Sequence, residues 1–163
     1  MFTMTRSVPV NDRGDPNIPV LNRDQVWKGL ELKAENALPF VPKMTKCDTI
    51  ERGDNYLVRD IVFRGEPARE RVTFYPKRMV QFDRLSGSTL GTIKNEIEED
   101  ASGELSLRFT FSLEKEGIPP DSSEEQAYAR QMEGDYLGAV QATLSAIRKW
   151  VKEGTLESQS AFM

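Results

Sequence analysis

Histidine is absent from this chain, and cysteine occurs once, at Cys47. Without histidine there can be no Ser-His-Asp triad and no Cys-His pair. The two shortages together exclude zinc sites built on imidazole and thiolate. Any acid–base chemistry falls to Asp, Glu, Lys, Tyr or Cys47. A lone cysteine closes no internal disulfide, which fits a reducing compartment, so the expected location is the cytoplasm. No run approaches the roughly 18 apolar residues that mark a membrane span. The opening Met1-Phe2-Thr3-Met4-Thr5-Arg6 lacks the basic-then-apolar layout of a signal peptide. Neither GxxxxGK[ST] nor GxGxxG occurs to cradle a nucleotide phosphate. The formal charge is −4 and no Lys/Arg cluster interleaves with aromatics, which argues against nucleic acid. The acidic run Glu96-Ile97-Glu98-Glu99-Asp100 reads as a solvated strand end, so no metal and no cofactor is expected.

What remains is a soluble-type chain of 163 residues, enough for one domain with a real core. Residues 5–10 form a short strand candidate. Gly14, Pro16 and Pro19 make 11–21 a loop. Asn22 with Gln25 has capping-box spacing, and Val26, Trp27, Leu30 and Ala34 keep helical spacing to about Asn36. Pro39 and Pro42 frame a kinked helical turn around Phe40 and Val41. Six alternating segments follow, at 44–51, 56–64, 68–75, 79–85, 90–99 and 104–113. Turn residues separate them: Gly53-Asp54-Asn55, Gly65-Glu66-Pro67, Pro76-Lys77, Ser86-Gly87-Ser88 and Asp100-Ala101-Ser102-Gly103. Connections this short predict an antiparallel meander. From Ser122 to Glu153 the pattern is one long amphipathic helix, with Tyr128, Met132, Tyr136, Ala139, Val140, Thr143, Ile147, Trp150 and Val151 on its apolar face. A second line of Gly134, Gly138, Ala142 and Ser145 suits either close packing or clearance for a ligand. Residues 1–154 form the expected single domain, and 155–163 a flexible tail.

The predicted fold class is α+β, a curved antiparallel sheet of about seven strands around a long C-terminal helix. A pocket between the two would hold an apolar small molecule. Period-two alternation places Leu105, Leu107, Phe109, Phe111 and Leu113 on the inward face, with Ile93 and Asn95, Phe82 and Arg84, Glu70 and Phe74, and Arg59 on the neighbouring strands. A tight turn at Pro76-Lys77 sets Phe74 opposite Val80 and Glu70 opposite Arg84. A turn at Gly53-Asp54 sets Ile50 opposite Leu57 and Asp48 opposite Arg59, with Glu70 diagonal to Arg59. Two carboxylates and two guanidiniums then balance on one face. Three readings stay open: structural ion pairs, a polar floor that orients a ligand's carbonyl or hydroxyl groups, and catalysis. In the last, Glu70 or Asp48 is the base and Arg59 or Arg84 stabilises an enolate or oxyanion. Expected ligand-binding residues are Asn95, Phe74, Phe82, Ile93, Phe109, Phe111, Tyr128, Met132, Tyr136 and Val140. Cys47, on the other face from Asp48, reads as an inert strand residue.

The order strand, helix, kinked turn, six-strand meander and long terminal helix resembles the helix-grip fold. That superfamily (SRPBCC, START-like) holds START lipid-transfer domains, aromatic polyketide cyclases and the birch pollen allergen. Within it the chain looks like the AtaL-like group, named for a member of a fungal acetylaranotin biosynthetic cluster. The likeness is carried by Asn22-Arg-Asp-Gln-Val-Trp-Lys-Gly-Leu30, Pro39-Phe-Val-Pro42, Arg69-Glu-Arg-Val-Thr-Phe-Tyr-Pro76, Gly91-Thr-Ile-Lys-Asn-Glu-Ile-Glu-Glu-Asp100 and Leu107-Arg-Phe-Thr-Phe111. The resemblance implies a cavity for a hydrophobic ligand and a place in secondary metabolism, with cofactor-free cyclisation, isomerisation or dehydration if there is turnover. A non-catalytic carrier of a lipid, polyketide or terpenoid metabolite is the alternative. Pollen-allergen-like members carry a glycine-rich loop where Arg52-Gly53-Asp54-Asn55 has one glycine, so their plant-hormone binding is not carried over. The expected state is a monomer or weak dimer.

Overall fold

The computed structural model describes residues 1–159. Its elements run β1 (Phe2–Pro9), α1 (Arg23–Glu35), β2 (Met44–Arg52), β3 (Tyr56–Phe63), β4 (Glu66–Tyr75), β5 (Met79–Ser86), β6 (Thr89–Glu99), β7 (Leu105–Lys115) and α2 (Ser123–Glu153), then a 3-10 turn at Leu156–Ser158. The sheet order is β1-β7-β6-β5-β4-β3-β2, with every neighbouring pair antiparallel. The meander is thus as its turns predict, and β1 closes it by pairing with β7.

Local chemistry explains the ends of the elements. Asn22 accepts the Gln25 N–H at 2.8 Å while the Gln25 side chain accepts the Asn22 N–H at 2.8 Å, a complete capping box. Ser122 accepts the Glu125 N–H at 3.1 Å, but the Glu125 carboxylate accepts from the Asp121 N–H instead of returning to the cap. α2 is 31 residues long, about 46 Å at the usual rise per residue. It ends at Gly154 in the left-handed region, φ 74°. The β3–β4 turn lies one residue earlier than its proline suggests. Arg64 (φ 51°) and Gly65 (φ 79°) are its two central residues, and Phe63 pairs with Glu66.

The helices lie over one face of the sheet. Inward residues of β7, Leu105 to Leu113, are buried along with Phe82, Ile93 and Ile97 from β5 and β6. α1 crosses α2 at close range: a Cβ on Gly29 would meet Ile147 Cδ1 at 2.2 Å. Trp27 packs edge-on against Phe74, and Trp150 against Phe40. At Gly134 and Gly138 an added Cβ would meet nothing within 4 Å, so close packing is not the reason for these glycines. The expected tail is partly anchored, because Leu156 is buried and joins the core. Residues 160–163, the rest of that tail, lie outside the described residues.

Strand β2 departs from expectation. Between Thr49 and Glu51 the ladder shifts, and Thr49 rather than Asp48 stands opposite Arg59. Ile50 is the extra residue of this bulge; it is exposed, and Arg52 takes the place opposite Leu57. A one-residue shift turns every side chain before it to the other face. Asp48 therefore points outward and is exposed, whereas Cys47 is buried on the inward face. The expected pairing of Asp48 with Arg59 is corrected by this bulge.

Candidate functional site

Three neighbouring strands bring the buried charges into line. Arg59 on β3 stands directly opposite Glu70 on β4, which stands directly opposite Arg84 on β5. The register places Glu70 between the two arginines rather than diagonal to Arg59. Glu70 Oε1 accepts from Arg59 Nε at 3.0 Å and Nη2 at 2.9 Å, and its Oε2 accepts from Arg84 Nε at 2.6 Å. All three side chains are less than 10% exposed. Arg59 Nη1 also donates to the Lys33 and Ala34 carbonyls at 3.2 and 2.9 Å. It thereby satisfies two of the last-turn carbonyls that α1 cannot pair internally.

The fourth charged group comes from α1. Lys33 is buried and donates through Nζ to Asn95 Oδ1. Its Nζ lies 5.7 Å from the Phe82 ring centroid, and the Arg59 guanidinium carbon 5.1 Å from the same ring. With Asp48 outside, the expected balance of charge is lost: two guanidiniums and an amine face one carboxylate. Burial and the Arg59 charge bring the Lys33 ammonium down to about 7, with Glu70 offsetting part of the effect. Burial acts to raise Glu70, but Arg59 and Arg84 outweigh it and hold the carboxyl below its ordinary range. Burial likewise opposes charge on Arg84, yet Glu70 keeps that guanidinium firmly protonated.

Two polar groups are left facing free space. Among the described residues Arg84 donates to Glu70 through Nε alone, and its Nη groups, without a protein acceptor, stay within reach of water. The Tyr136 hydroxyl is fully buried and has no hydrogen-bond partner among the described residues. Its ring stacks parallel to Phe63 at 6.4 Å and tilts against Phe111 at 5.4 Å. Burial pushes the phenol well above its usual range, although Arg84 pulls the other way.

The space itself has two parts. An inner chamber of about 40 Å³ lies among Lys33, Arg59, Glu70, Phe82, Asn95 and Tyr136. That is room for a water or two. An outer vestibule of about 190 Å³ lies among Arg64, Ala68, Ser88, Tyr128, Gln131 and Met132. Arg84 and Phe63 border both. The vestibule's rim carries two ion pairs, Arg64 to Asp135 through a fork of two 2.7 Å bonds and Lys115 to Glu66 at 2.6 Å. Tyr128 at its wall shares a 2.7 Å hydrogen bond with Thr89. The hollow expected between sheet and helix is thus largely filled by side chains, and its open part lies toward one end.

The expected ligand-binding residues divide accordingly. Phe82, Ile93, Asn95 and Tyr136 line the inner chamber, and Tyr128 and Met132 the vestibule. Phe109, Phe111 and Val140 are packed into the core and border neither space. Phe74 lies against Trp27 and borders neither. Lys33 was not among the expected residues, although its position gives it away. With Val26 and Leu30 it follows the 4-3 spacing of the buried face of α1. Among the described residues no three His, Cys, Asp or Glu side chains cluster as a metal site would require, and no helix is long and apolar enough to cross a membrane.

Comparison with known proteins agrees with this architecture. The family profile of acetylaranotin biosynthesis cluster protein L matches residues 4–154. Acetylaranotin biosynthesis cluster protein L of Aspergillus terreus (strain NIH 2624 / FGSC A1156) is 23% identical over 158 residues, covering 96% of this chain and 94% of that protein. The ZhuI aromatase/cyclase from Streptomyces sp. R1128 superposes with a TM-score of 0.72 at 17% identity, over 92% of this chain and 95% of its own. The di-domain aromatase/cyclase BexL from the BE-7585A biosynthetic pathway superposes with a TM-score of 0.62 at 14% identity, over 88% of this chain and 49% of its own. At these identities the two structures share the fold, a helix-grip sheet closed by a long C-terminal helix. The profile match, which spans nearly the whole chain, places this protein in the acetylaranotin biosynthesis cluster protein L family.

Proposed function

We propose that the chain binds a small, partly apolar metabolite of secondary metabolism. Its carbonyl or hydroxyl end would sit on Arg84 and Tyr136, and its apolar part in the vestibule against Phe63, Tyr128 and Met132. The observation that carries this reading is the position of Arg84, anchored by Glu70 at one edge and open to both spaces with its remaining donors. Beside it the buried Tyr136 hydroxyl lacks an acceptor among the described residues, which is costly, and a ligand oxygen supplies one. Membership in a biosynthetic-cluster family supports the metabolic setting. The aromatase/cyclase names of two proteins with the same fold support the class of chemistry. The reaction proposed is a cofactor-free cyclisation, isomerisation or dehydration, in which positioning and the Arg84 charge stabilise a developing enolate or oxyanion. Glu70 serves as the anchor of both arginines here rather than as the base, because both of its oxygens are engaged and its proton affinity is lowered.

That same engagement of Glu70 favours a second reading, a carrier without turnover, since the inner chamber then lacks a free carboxylate base. Native mass spectrometry of the protein purified from its own host tests the binding claim: a co-purifying metabolite supports it. The captured compound, incubated with fresh protein, separates the two readings. Conversion that is lost in Arg84→Met supports the enzyme, and unchanged compound supports the carrier. A preparation that carries no metabolite and gains none from a host extract would overturn both.

A further inference from the structure

The inner chamber holds more positive than negative charge. With Asp48 on the outer face, Glu70 is the carboxylate that lines the inner chamber beside Arg59, Arg84 and Lys33, while Glu66, paired with Lys115, faces Arg84 from the vestibule. Among the described residues nothing else around Lys33 supplies a counter-charge. β2 contributes the Cys47 thiol behind Arg59, β3 Arg59, β4 Glu70, β5 Arg84, β6 Asn95 and α2 the Tyr136 hydroxyl. Asn95 Oδ1 offers Lys33 a neutral acceptor only. Surplus positive charge is expensive in a buried site unless an anion joins it.

We infer that the site accepts the anionic head of an acidic ligand, a carboxylate, phenolate or enolate, on Arg84 Nη and the Tyr136 hydroxyl, with Lys33 as its proton-linked counter-ion. This rests on the reading of the cavity as a metabolite site and names the ligand class. Beside the inner chamber the Lys33 ammonium is held near 7 by burial and by Arg59. An incoming negative charge favours the ammonium form, so above neutrality the amine takes a proton from solvent as the anion binds. A neutral ligand of the same shape has no such effect. The buried Tyr136 hydroxyl, unpartnered among the described residues, and the Arg84 Nη groups at the border of both spaces support the geometry independently of charge, since each can donate to an oxygen that enters past Phe63.

The test is calorimetric titration of the wild-type protein with benzoate and with its neutral isostere benzamide. It is run at two pH values in buffers of different ionisation heat. Benzoate should bind about tenfold or more tighter than benzamide at pH 6, the surplus charge supplying the difference. At pH 8 its binding should draw close to one proton from the buffer and be about tenfold weaker than at pH 6. Lys33→Met should bind benzoate with no linked proton, and Tyr136→Phe should weaken benzoate several-fold while leaving benzamide less affected. Equal affinity for the two probes, benzoate binding without proton uptake, or an unchanged Tyr136→Phe protein would overturn the inference while leaving the cavity reading in place. If neither probe binds, the cavity reading itself fails and takes this inference with it.

Discussion

One end of the inward face, on β7, carries Leu107, Phe109, Phe111 and Leu113, all without solvent exposure. The other, on β3, β4 and β5, carries Arg59, Glu70 and Arg84 at equivalent positions of the same two-residue alternation. The strands, the twist and the covering helix are shared, yet one region is solid and the other keeps open space. Aliphatic and aromatic side chains interdigitate to close packing. Guanidiniums and carboxylates must instead meet their partners at fixed angles, and the geometry that satisfies Glu70 leaves Arg84 with donors to spare. Polar interruption of an apolar face therefore does two things here. It costs stability, and it prevents the sheet and helix from closing completely.

That contrast can be broken by substitution. Glu70→Gln should have the largest effect, a loss of about 3–5 kcal/mol in urea unfolding, because it strands two buried guanidiniums. Replacing the cluster as a unit, Arg59→Met with Glu70→Leu and Arg84→Met, should instead leave stability level or raised by about 1–4 kcal/mol and abolish ligand binding. A cluster that only holds the fold together would fail the second half of that forecast. In the solid region Leu107→Ala should cost about 2–5 kcal/mol by leaving a cavity, with ligand affinity unchanged.

Lys33→Met sharpens the comparison through pH. Lys33 holds its proton to about 7 in the folded chain and to about 10.5 when unfolded. The unfolded state thus carries more protons between those values. Wild-type stability should rise relative to Lys33→Met across that window, by up to about 1.4 kcal/mol per pH unit, in unfolding titrations from pH 6 to 10. Asp48→Asn is the smallest expected effect, within about 0.5 kcal/mol and without influence on binding, because that side chain faces solvent. A larger effect, or a change in binding, would put the Asp48 side chain on the inward face.

Much of this arrangement was legible in the sequence. The strand order followed from turn length, and the Glu70–Arg84 pairing from a two-residue alternation measured outward from the Pro76-Lys77 turn. Asp48 was misassigned because register from a turn holds only while the ladder is regular, and Ile50 is a bulge with no distinguishing residue type. Lys33 escaped for the opposite reason. Its spacing placed it on the buried stripe of α1, but a lysine on a helix is ordinarily solvated, and only the fold brings Asn95 within reach. The size of the cavity was not legible at all, because it depends on how Phe63, Phe82 and Tyr136 fill the space between layers.

Cys47, the chain's single sulfhydryl, sits beneath this assembly with Sγ 3.5 Å from the Ala37 amide and 3.6 Å from Arg59 Nη1. An alkylating reagent reaches it only when strand β2 and the end of α1 part. The rate of labelling by a small maleimide therefore acts as a built-in clock for breathing at that seam. Because Arg59 stands between the sulfur and Glu70, any occupant that tightens the cluster should slow the clock, and no engineered probe is needed to read it.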